Sequence, residues 1–154
     1  MTRKVTRAVA RIRAGVADFV YMGNLDAVRD WGYAPEYVEG MWRMLQADEP
    51  DDFVLATGGH VTVRDFVATA FEHAGLDWER HVRFDERYLR PTEVDALIGD
   101  ASKAERVLGW KPVVHTDQLA RIMVDADIAA FEHEGRHWID QPTLEGWPAL
   151  GRRS

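Results

Sequence analysis

The sequence predicts a single domain of the α/β class, and three observations support this. Segments with helical periodicity alternate along the chain with short runs of β-branched and aromatic residues. One of these runs, Phe53 to Ala56, is apolar without alternation, which is typical of a strand covered on both faces in a parallel sheet. The length of 154 residues fits one domain with its own core. Because only three or four strands are recognisable, the run at 53–56 indicates part of a larger sheet.

The first third of the chain predicts two helices around a short strand. Residues 2–14 form an amphipathic helix. Its buried stripe is Val5, Val9 and Ile12. The strand runs from Phe19 to Met22, and Pro35 suits the first turn of the second helix. The apolar side chains of that helix recur at helical spacing and are expected to face the core: Tyr37, Val38, Met41, Trp42 and Leu45.

The rest of the chain predicts three more helices. Thr62 can cap the first of them. Its inward residues are Val63, Phe66, Val67, Ala70 and Phe71. A strand is expected near Val94 to Ile98, and Asp100 caps a short helix after it. Thr116 caps the last long helix. Its inward residues are Leu119, Ile122, Met123, Ala126 and Ile128. Residues 135–154, rich in Gly, Pro and Trp, are expected to be irregular.

The composition and net charge of the chain argue against several classes of function. The formal net charge of -7 argues against a general nucleic-acid binder, because neutralising phosphates needs a basic surface. The chain has no cysteine, which excludes thiolate metal sites and cysteine nucleophiles and fits a cytoplasmic protein. No apolar run approaches the roughly 20 residues that span a bilayer. The basic, acid-free residues 1–17 favour a basic-faced helix over a transit peptide.

One literal motif, HEGRH, matches the H-E-x-x-H pattern of zinc peptidases. The pattern places two imidazoles, here His133 and His137, on one helix face around a glutamate base, Glu134. Gly135 inside the motif and Pro142 after it argue against a rigid helix. A solvated helix end is therefore the simpler interpretation, and a zinc hydrolase remains a remote alternative.

Two arginines in turns are better candidates for a binding site. Arg29 precedes an aromatic turn, whereas Arg90 precedes a proline and is followed three positions later by Glu93. A guanidinium suits a diphosphate because its fork gives paired donors and its charge persists. A glutamate can accept hydrogen bonds from vicinal sugar hydroxyls. On spacing alone, weak surface ion pairs remain the simpler explanation.

Four segments together resemble the C-terminal part of GDP-mannose 4,6-dehydratase, a member of the extended short-chain dehydrogenase/reductase family. The segments are TRKVTRAVARI, GNLDAVRDWGYAPEYVEGMWRMLQ, DFVLATG and RYLRPTEVDALIGDASKAERVLGWKP. LRPTEVD is closer to this dehydratase in particular, and the other patterns recur more loosely across the extended family. The resemblance covers residues 1–128 and leaves 129–154 as a tail. It implies the substrate-binding portion of an incomplete Rossmann-type fold.

The resemblance also implies which residues bind GDP-mannose. Arg29 would reach the diphosphate, Lys4 would lie by the guanine, and Asn24 would line the site. Arg90 and Glu93 would hold the phosphates and ribose of GDP. No residue is assigned to catalysis, to cofactor binding or to a metal.

The chemistry implied by the family is an internal oxidation and reduction with loss of water, in which NADP takes hydride from the sugar and returns it. It needs a glycine-rich turn for the cofactor pyrophosphate and a Tyr-x-x-x-Lys pair. No glycines here have G-x-x-G-x-x-G spacing, and the residues four positions after the tyrosines are Leu25, Tyr37, Met41 and Thr92. The chain is therefore expected to bind no NADP and to be inactive alone.

Three further expectations concern the chain in isolation. Met1 stands where the family usually has an apolar residue before TRK, so a truncated gene or a misplaced start is one hypothesis. A non-catalytic GDP-sugar-binding or regulatory subunit, paired with a complementary N-terminal chain or a full-length dehydratase, is the alternative function. The strand at 53–56 and the helix at 35–47 would leave an unpaired edge and an exposed apolar face, so self-association or marginal stability is expected.

Overall fold

The computed structural model describes residues 1–89, 94 and 96–134. The helices are α1 (Thr2–Arg13), α2 (Ala34–Leu45), α3 (Val63–His73), α4 (Trp78–His81), α5 (Ser102–Leu108) and α6 (Thr116–Glu134). The strands are β1 (Val20–Met22), β2 (Val28–Arg29), β3 (Val61–Thr62) and β4 (Val82–Phe84), and a 3-10 turn, Glu86–Tyr88, follows β4. Across these ranges no helix is both long enough and apolar enough to cross a membrane.

Helices α1, α3 and α6 enclose the hydrophobic core. The predicted stripes of α1 and α3 are confirmed, because every residue named for them is buried. On α6 the prediction is partly wrong, since Ile122 and Ala126 are exposed. The buried positions there are Thr116, Leu119, Ala120, Val124 and Asp127. The buried face therefore differs from the predicted one, and it includes the polar Asp127, which the apolar pattern of the sequence did not indicate.

The strands form two short pairs. Strand β1 lies parallel to β4, with Val20 opposite Val82, and β2 lies antiparallel to β3, with Val28 opposite Thr62. Of the strand predicted near 94–98, the described residues show one parallel bridge, from Val28 to Ala96. The mixed α/β arrangement with a short parallel pair confirms the predicted partial Rossmann-type fold.

The strand predicted at Phe53 to Ala56 is wrong for this structure. Its residues belong to no strand, and the side chain of Val54 is exposed. A strand is defined by a neighbouring backbone that completes its hydrogen bonds, and within the described residues no strand pairs with this segment. β-propensity is a property of the segment alone and cannot supply that neighbour.

Helix α2 begins where the sequence predicts, with proline in its first turn. The predicted orientation of its apolar face is wrong. Four of the five residues expected in the core are exposed by 56% to 81%: Val38, Met41, Trp42 and Leu45. The helix packs on the body through its other side, where Tyr37 contacts the ring of Trp110 and Gly40 is buried.

The two predicted threonine caps have different outcomes. Thr62 forms a capping box with Asp65: its hydroxyl accepts from the Asp65 amide at 3.0 Å, and its own amide donates to the Asp65 carboxylate at 3.1 Å. Thr116 is instead the first helical residue of α6, because the Leu119 amide already donates to the His115 carbonyl. The buried Thr116 hydroxyl donates to the Trp31 carbonyl, which ties α6 to the aromatic turn.

Candidate functional site

A cleft of about 570 Å³ opens between the start of α1, the end of β1 and the turn after β4. Three of the five residues predicted to bind GDP-mannose line it: Lys4, Asn24 and Arg29. The other two, Arg90 and Glu93, lie outside the described residues. Leu89, which directly precedes Arg90 in the chain, lines the cleft. Residues that are far apart in the sequence therefore converge on one concave surface.

Lys4 places its ammonium group on the wall formed by α1. The group donates to the carbonyl oxygen of Tyr21 and lies 3.3 Å from the centroid of the Tyr88 ring. Partial burial lowers the pKa of Lys4, and the negative charge of Asp85 opposes that effect. The first turn of α1 has no acidic residue. The positive end of the helix dipole therefore adds to the positive charge that Lys4 brings to this wall of the cleft.

Arg29 ends β2 and its guanidinium is held by backbone. Its Nη1 donates to the carbonyl oxygens of Val28 and Val94, each at 2.7 Å. The bond to Val94 links β2 to the residue that directly follows the predicted site residue Glu93 in the chain. A guanidinium held in this way loses little rotamer freedom when an anion binds, which favours its use for phosphate.

The turn that follows Arg29 is fixed by two kinds of contact. The carboxylate of Asp30 accepts hydrogen bonds from the Thr57 amide, the Thr57 hydroxyl and the Gly58 amide. The ring of Trp31 lines the cleft and packs against the buried ring of Phe66, with 5.2 Å between the ring centroids and the two planes tilted. The dense polar and aromatic composition of this stretch therefore anchors Arg29 to both a loop and the core.

Asn24 and Gly23 shape the floor of the cleft just after β1. The side-chain oxygen of Asn24 accepts from the Asp26 amide at 2.9 Å, which closes a local turn. Gly23 allows the turn after β4 to approach, since a Cβ there would lie 2.5 Å from the Tyr88 carbonyl oxygen. Any side chain at Gly23 would push that turn, and with it one wall of the cleft, outward.

Sequence reasoning missed two cleft residues, Arg87 and Tyr88. The Arg87 guanidinium forms a fork with the carboxylate of Asp85, with 2.6 Å between Nη2 and Oδ2, and this contact lowers the pKa of Asp85. Asp85 also caps the turn by accepting from the Arg87 amide at 3.0 Å. An aspartate often caps a turn by accepting from the amide two residues on, so the aspartate in FDERY was a signal for this turn.

Comparison with known proteins identifies the family. A family model described as "GDP-mannose 4,6 dehydratase" matches residues 1–123. The chain belongs to the GDP-mannose 4,6-dehydratase family. It is 51% identical over 134 residues to GDP-mannose 4,6 dehydratase 1 of Arabidopsis thaliana, covering 87% of this chain and 37% of that protein. The Homo sapiens GDP-mannose 4,6 dehydratase is 49% identical, with 83% of this chain and 39% of that protein covered.

Members of the GDP-mannose 4,6-dehydratase family are thus much longer than the region shared with this chain, which spans 37% and 39% of these two relatives. Solved structures share the fold at lower identity. RMD from Pseudomonas aeruginosa, solved with NADPH, has a TM-score of 0.74 at 19% identity, with 84% of this chain and 42% of that chain covered. UDP-glucose 4-epimerase from Bifidobacterium longum, solved with NAD+ and UDP, has a TM-score of 0.67 at 23% identity, with 85% of this chain and 40% of that chain covered.

The zinc alternative finds no support in the described part of the chain. There, no group of three or more histidine, aspartate and glutamate side chains is placed to hold a metal. His133 is exposed near the end of α6, and His137 lies outside the described residues. The HEGRH motif as a whole therefore stays a sequence prediction.

Proposed function

We propose that this chain supplies the GDP-mannose-binding part of a GDP-mannose 4,6-dehydratase, which converts GDP-mannose to GDP-4-dehydro-6-deoxy-mannose. Residues 1–128 would form this part, and 129–154 a tail. The proposal is supported most directly by the convergence of Lys4, Asn24 and Arg29, from three separate segments, on one cleft in a chain of this family.

The cleft has the size and charge that a nucleotide diphosphate requires. Its volume of about 570 Å³ lies within the range of small-molecule sites, roughly 300–1,000 Å³. Lys4 and Arg29 both bring positive charge to the cleft, and Arg87 adds a third cation whose charge is balanced by Asp85. Lys4 would lie by the guanine and Arg29 on the diphosphate. Arg90 and Glu93 would complete the site around the phosphates and ribose.

NADP is the cofactor that we propose for the full-length enzyme, in which it would carry hydride from and to the sugar. The described turn after β1 does not fit its diphosphate. The turn after β1 contains a single glycine, Gly23, and the space above that glycine is filled by the Tyr88 carbonyl. A dinucleotide turn needs several glycines so that backbone amides can approach the phosphates. We therefore assign no redox step to this chain.

A calorimetric titration with GDP-mannose tests the proposal. Lys4→Met keeps the length of the side chain and removes its charge, and we expect it to weaken binding by roughly 10- to 100-fold. This follows because a hydrogen bond to a charged group is worth about 1.5–3 kcal/mol. Arg29→Gln should give a similar loss.

The matched control is Arg121→Gln, which removes a positive charge from the exposed side of α6, away from the cleft. It should bind like the unmodified chain. Equal affinity in all three variants would contradict the proposal. So would the absence of binding by a chain whose circular dichroism shows the expected helices.

The exposed face of α2 supports a second proposal, that this chain associates with other polypeptides. Four apolar side chains are exposed on this face, and Val54 is also exposed, on a segment without strand partners among the described residues. Large apolar patches on soluble proteins usually mark interfaces. We propose that a complementary N-terminal chain or a full-length dehydratase covers this face, and that the isolated chain covers it by self-association.

Sedimentation velocity measures the self-association. The isolated chain is expected to sediment faster as its concentration rises, and Trp42→Glu should shift it toward monomer because a charge would be buried in the contact. Ile122→Glu, at an exposed apolar position on α6, is the matched control and should leave the association unchanged. A stable monomer at all concentrations would contradict the prediction.

A further inference from the structure

A fully buried carboxylate joins the last helix to the first. Asp127 of α6 has no exposed surface, and its Oδ2 accepts a 2.6 Å hydrogen bond from the hydroxyl of Thr6, which is also fully buried. Its Oδ1 lies 3.0 Å from the guanidinium of Arg3, whose side chain is 56% exposed. A carboxylate is costly to bury unless it is paired and hydrogen-bonded, so this arrangement fixes α1 against α6 at one register.

The residues that Asp127 contacts lie on a different face of α1 from the one that lines the cleft. Arg3 and Thr6 are three positions apart and share one face of the helix. Lys4 is one position further than Arg3, rotated by about 100° around the axis, and it reaches the cleft instead. Both contacts of Asp127 are therefore in the same two turns of α1 that carry Lys4.

We propose that Asp127 is a positioning residue for the cleft. By holding Arg3 and Thr6, it fixes α1 along its axis and so determines how far the Lys4 ammonium group extends into the cleft. The far wall is fixed independently, because the Tyr21 carbonyl belongs to β1 and the Tyr88 ring to the turn after β4. A slide of α1 along α6 would move Lys4 relative to that wall without unfolding either helix. The ligand in this inference is the one named in the proposed function.

A double-mutant cycle with GDP-mannose tests whether Asp127 acts through Lys4. Asp127→Asn keeps an oxygen that can accept from Thr6 but removes the charge facing Arg3. We expect it to weaken binding on the order of tenfold when Lys4 is present, and to have no further effect in the Lys4→Met background. An equal loss in both backgrounds would mean that Asp127 supports the fold in general and would overturn the proposal.

The Thr6 hydroxyl provides an independent pair of variants. Thr6→Ser keeps the donor to Asp127 and should bind GDP-mannose as the unmodified chain does. Thr6→Val keeps the shape but loses the donor and should reproduce the loss seen with Asp127→Asn. If Thr6→Ser and Thr6→Val bind equally well, the hydrogen bond does not position Lys4. This pair also serves if Asp127→Asn fails to fold.

A ligand-free measurement separates this inference from the proposed function. Burial in the cleft lowers the pKa of Lys4, and the facing Asp85 opposes it, so NMR titration of the Lys4 side chain reports its depth. In Asp127→Asn and Thr6→Val the pKa of Lys4 should rise toward the ordinary lysine value, because its ammonium would be less buried. The control is Asp125→Asn, which removes an exposed carboxylate of α6 that pairs with His73 and not with α1.

The two proposals can then fail separately. If the unmodified chain does not bind GDP-mannose, the proposed function fails, and the Lys4 titration still decides whether Asp127 positions the lysine. An unchanged Lys4 titration in folded Asp127→Asn and Thr6→Val would overturn the inference whatever the ligand result.

Discussion

Replacing Trp110 with alanine is expected to lower the free energy of unfolding by about 3–5 kcal/mol. The side chain is 1% exposed and is the largest one that is fully buried among the described residues. Its ring meets Tyr37 edge-on at 5.5 Å, and its indole N–H donates to the Glu36 carbonyl at 2.7 Å. The substitution would leave a cavity beside α2 and remove one of the contacts that hold this helix, leaving the hydrogen bonds of Arg43 to the Leu108 and Gly109 carbonyls.

Urea denaturation followed by circular dichroism measures this loss. Trp42→Ala is the matched control, because Trp42 is a tryptophan on the outward face of α2 and is 60% exposed. Its removal should lower the free energy of unfolding by no more than about 1 kcal/mol, as expected for an exposed side chain. Similar losses for the two tryptophans would show that α2 is held in some other way.

The packing of the core was predictable from local periodicity. The apolar positions of α1 and α3 each form one stripe, and both stripes are buried. Each helix lies against partners within the described chain, so the periodic pattern alone decided which side turns inward. The cap at Thr62 followed from local chemistry in the same way.

Helix α2 and the run at 53–56 show where such reasoning stops. The sequence located the apolar side of α2 correctly, yet that side is exposed and the helix packs through Tyr37 and Gly40. An apolar pattern indicates which face of a helix should be buried, but it does not indicate whether the same chain or another polypeptide buries it. The same holds for a strand, whose pairing partner is not encoded in its own residues.

The candidate site shows the complementary limit. Spacing alone did not raise Arg29 above an ordinary surface arginine, and the resemblance to the family supplied its role together with those of Lys4 and Asn24. The structure brings these three together. Contacts such as Thr6 to Asp127, which are 121 positions apart, carry no local signal. Asp127 sits among apolar residues on α6, and only the folded chain shows its partner.

Replacing Asp30 with alanine should cost about 2–4 kcal/mol of stability, because three donors of the Thr57 and Gly58 loop would lose a charged acceptor. Asp30→Asn should recover little of this, since its amide group would face donors. Asp26→Ala is the matched control. Asp26 is an exposed neighbour that pairs with Arg64 at 2.7 Å, and such a surface pair is worth about 1 kcal/mol or less. Urea denaturation decides between these values, and an equal cost for Asp30→Ala and Asp26→Ala would contradict the role given to Asp30.

The alkaline side of the stability curve gives an independent test of Asp30. Burial raises the pKa of Tyr37, and the negative charges of Asp30 and Glu36 raise it further. The folded chain therefore keeps the Tyr37 proton above the ordinary tyrosine pKa of about 10, where the unfolded chain loses it. Stability is present in full below that pH and falls as the pH rises toward the folded pKa.

In Asp30→Asn one of the two charges is gone, so the pKa of Tyr37 should move down toward its ordinary value, and the alkaline loss of stability should become smaller. NMR titration of the Tyr37 ring measures the first effect, and urea denaturation at increasing pH measures the second. Because Tyr37 also contacts Trp110, both measurements report whether the turn after Arg29 and the base of α2 form one coupled structure. A Tyr37 titration that is the same with and without Asp30 would show that they do not.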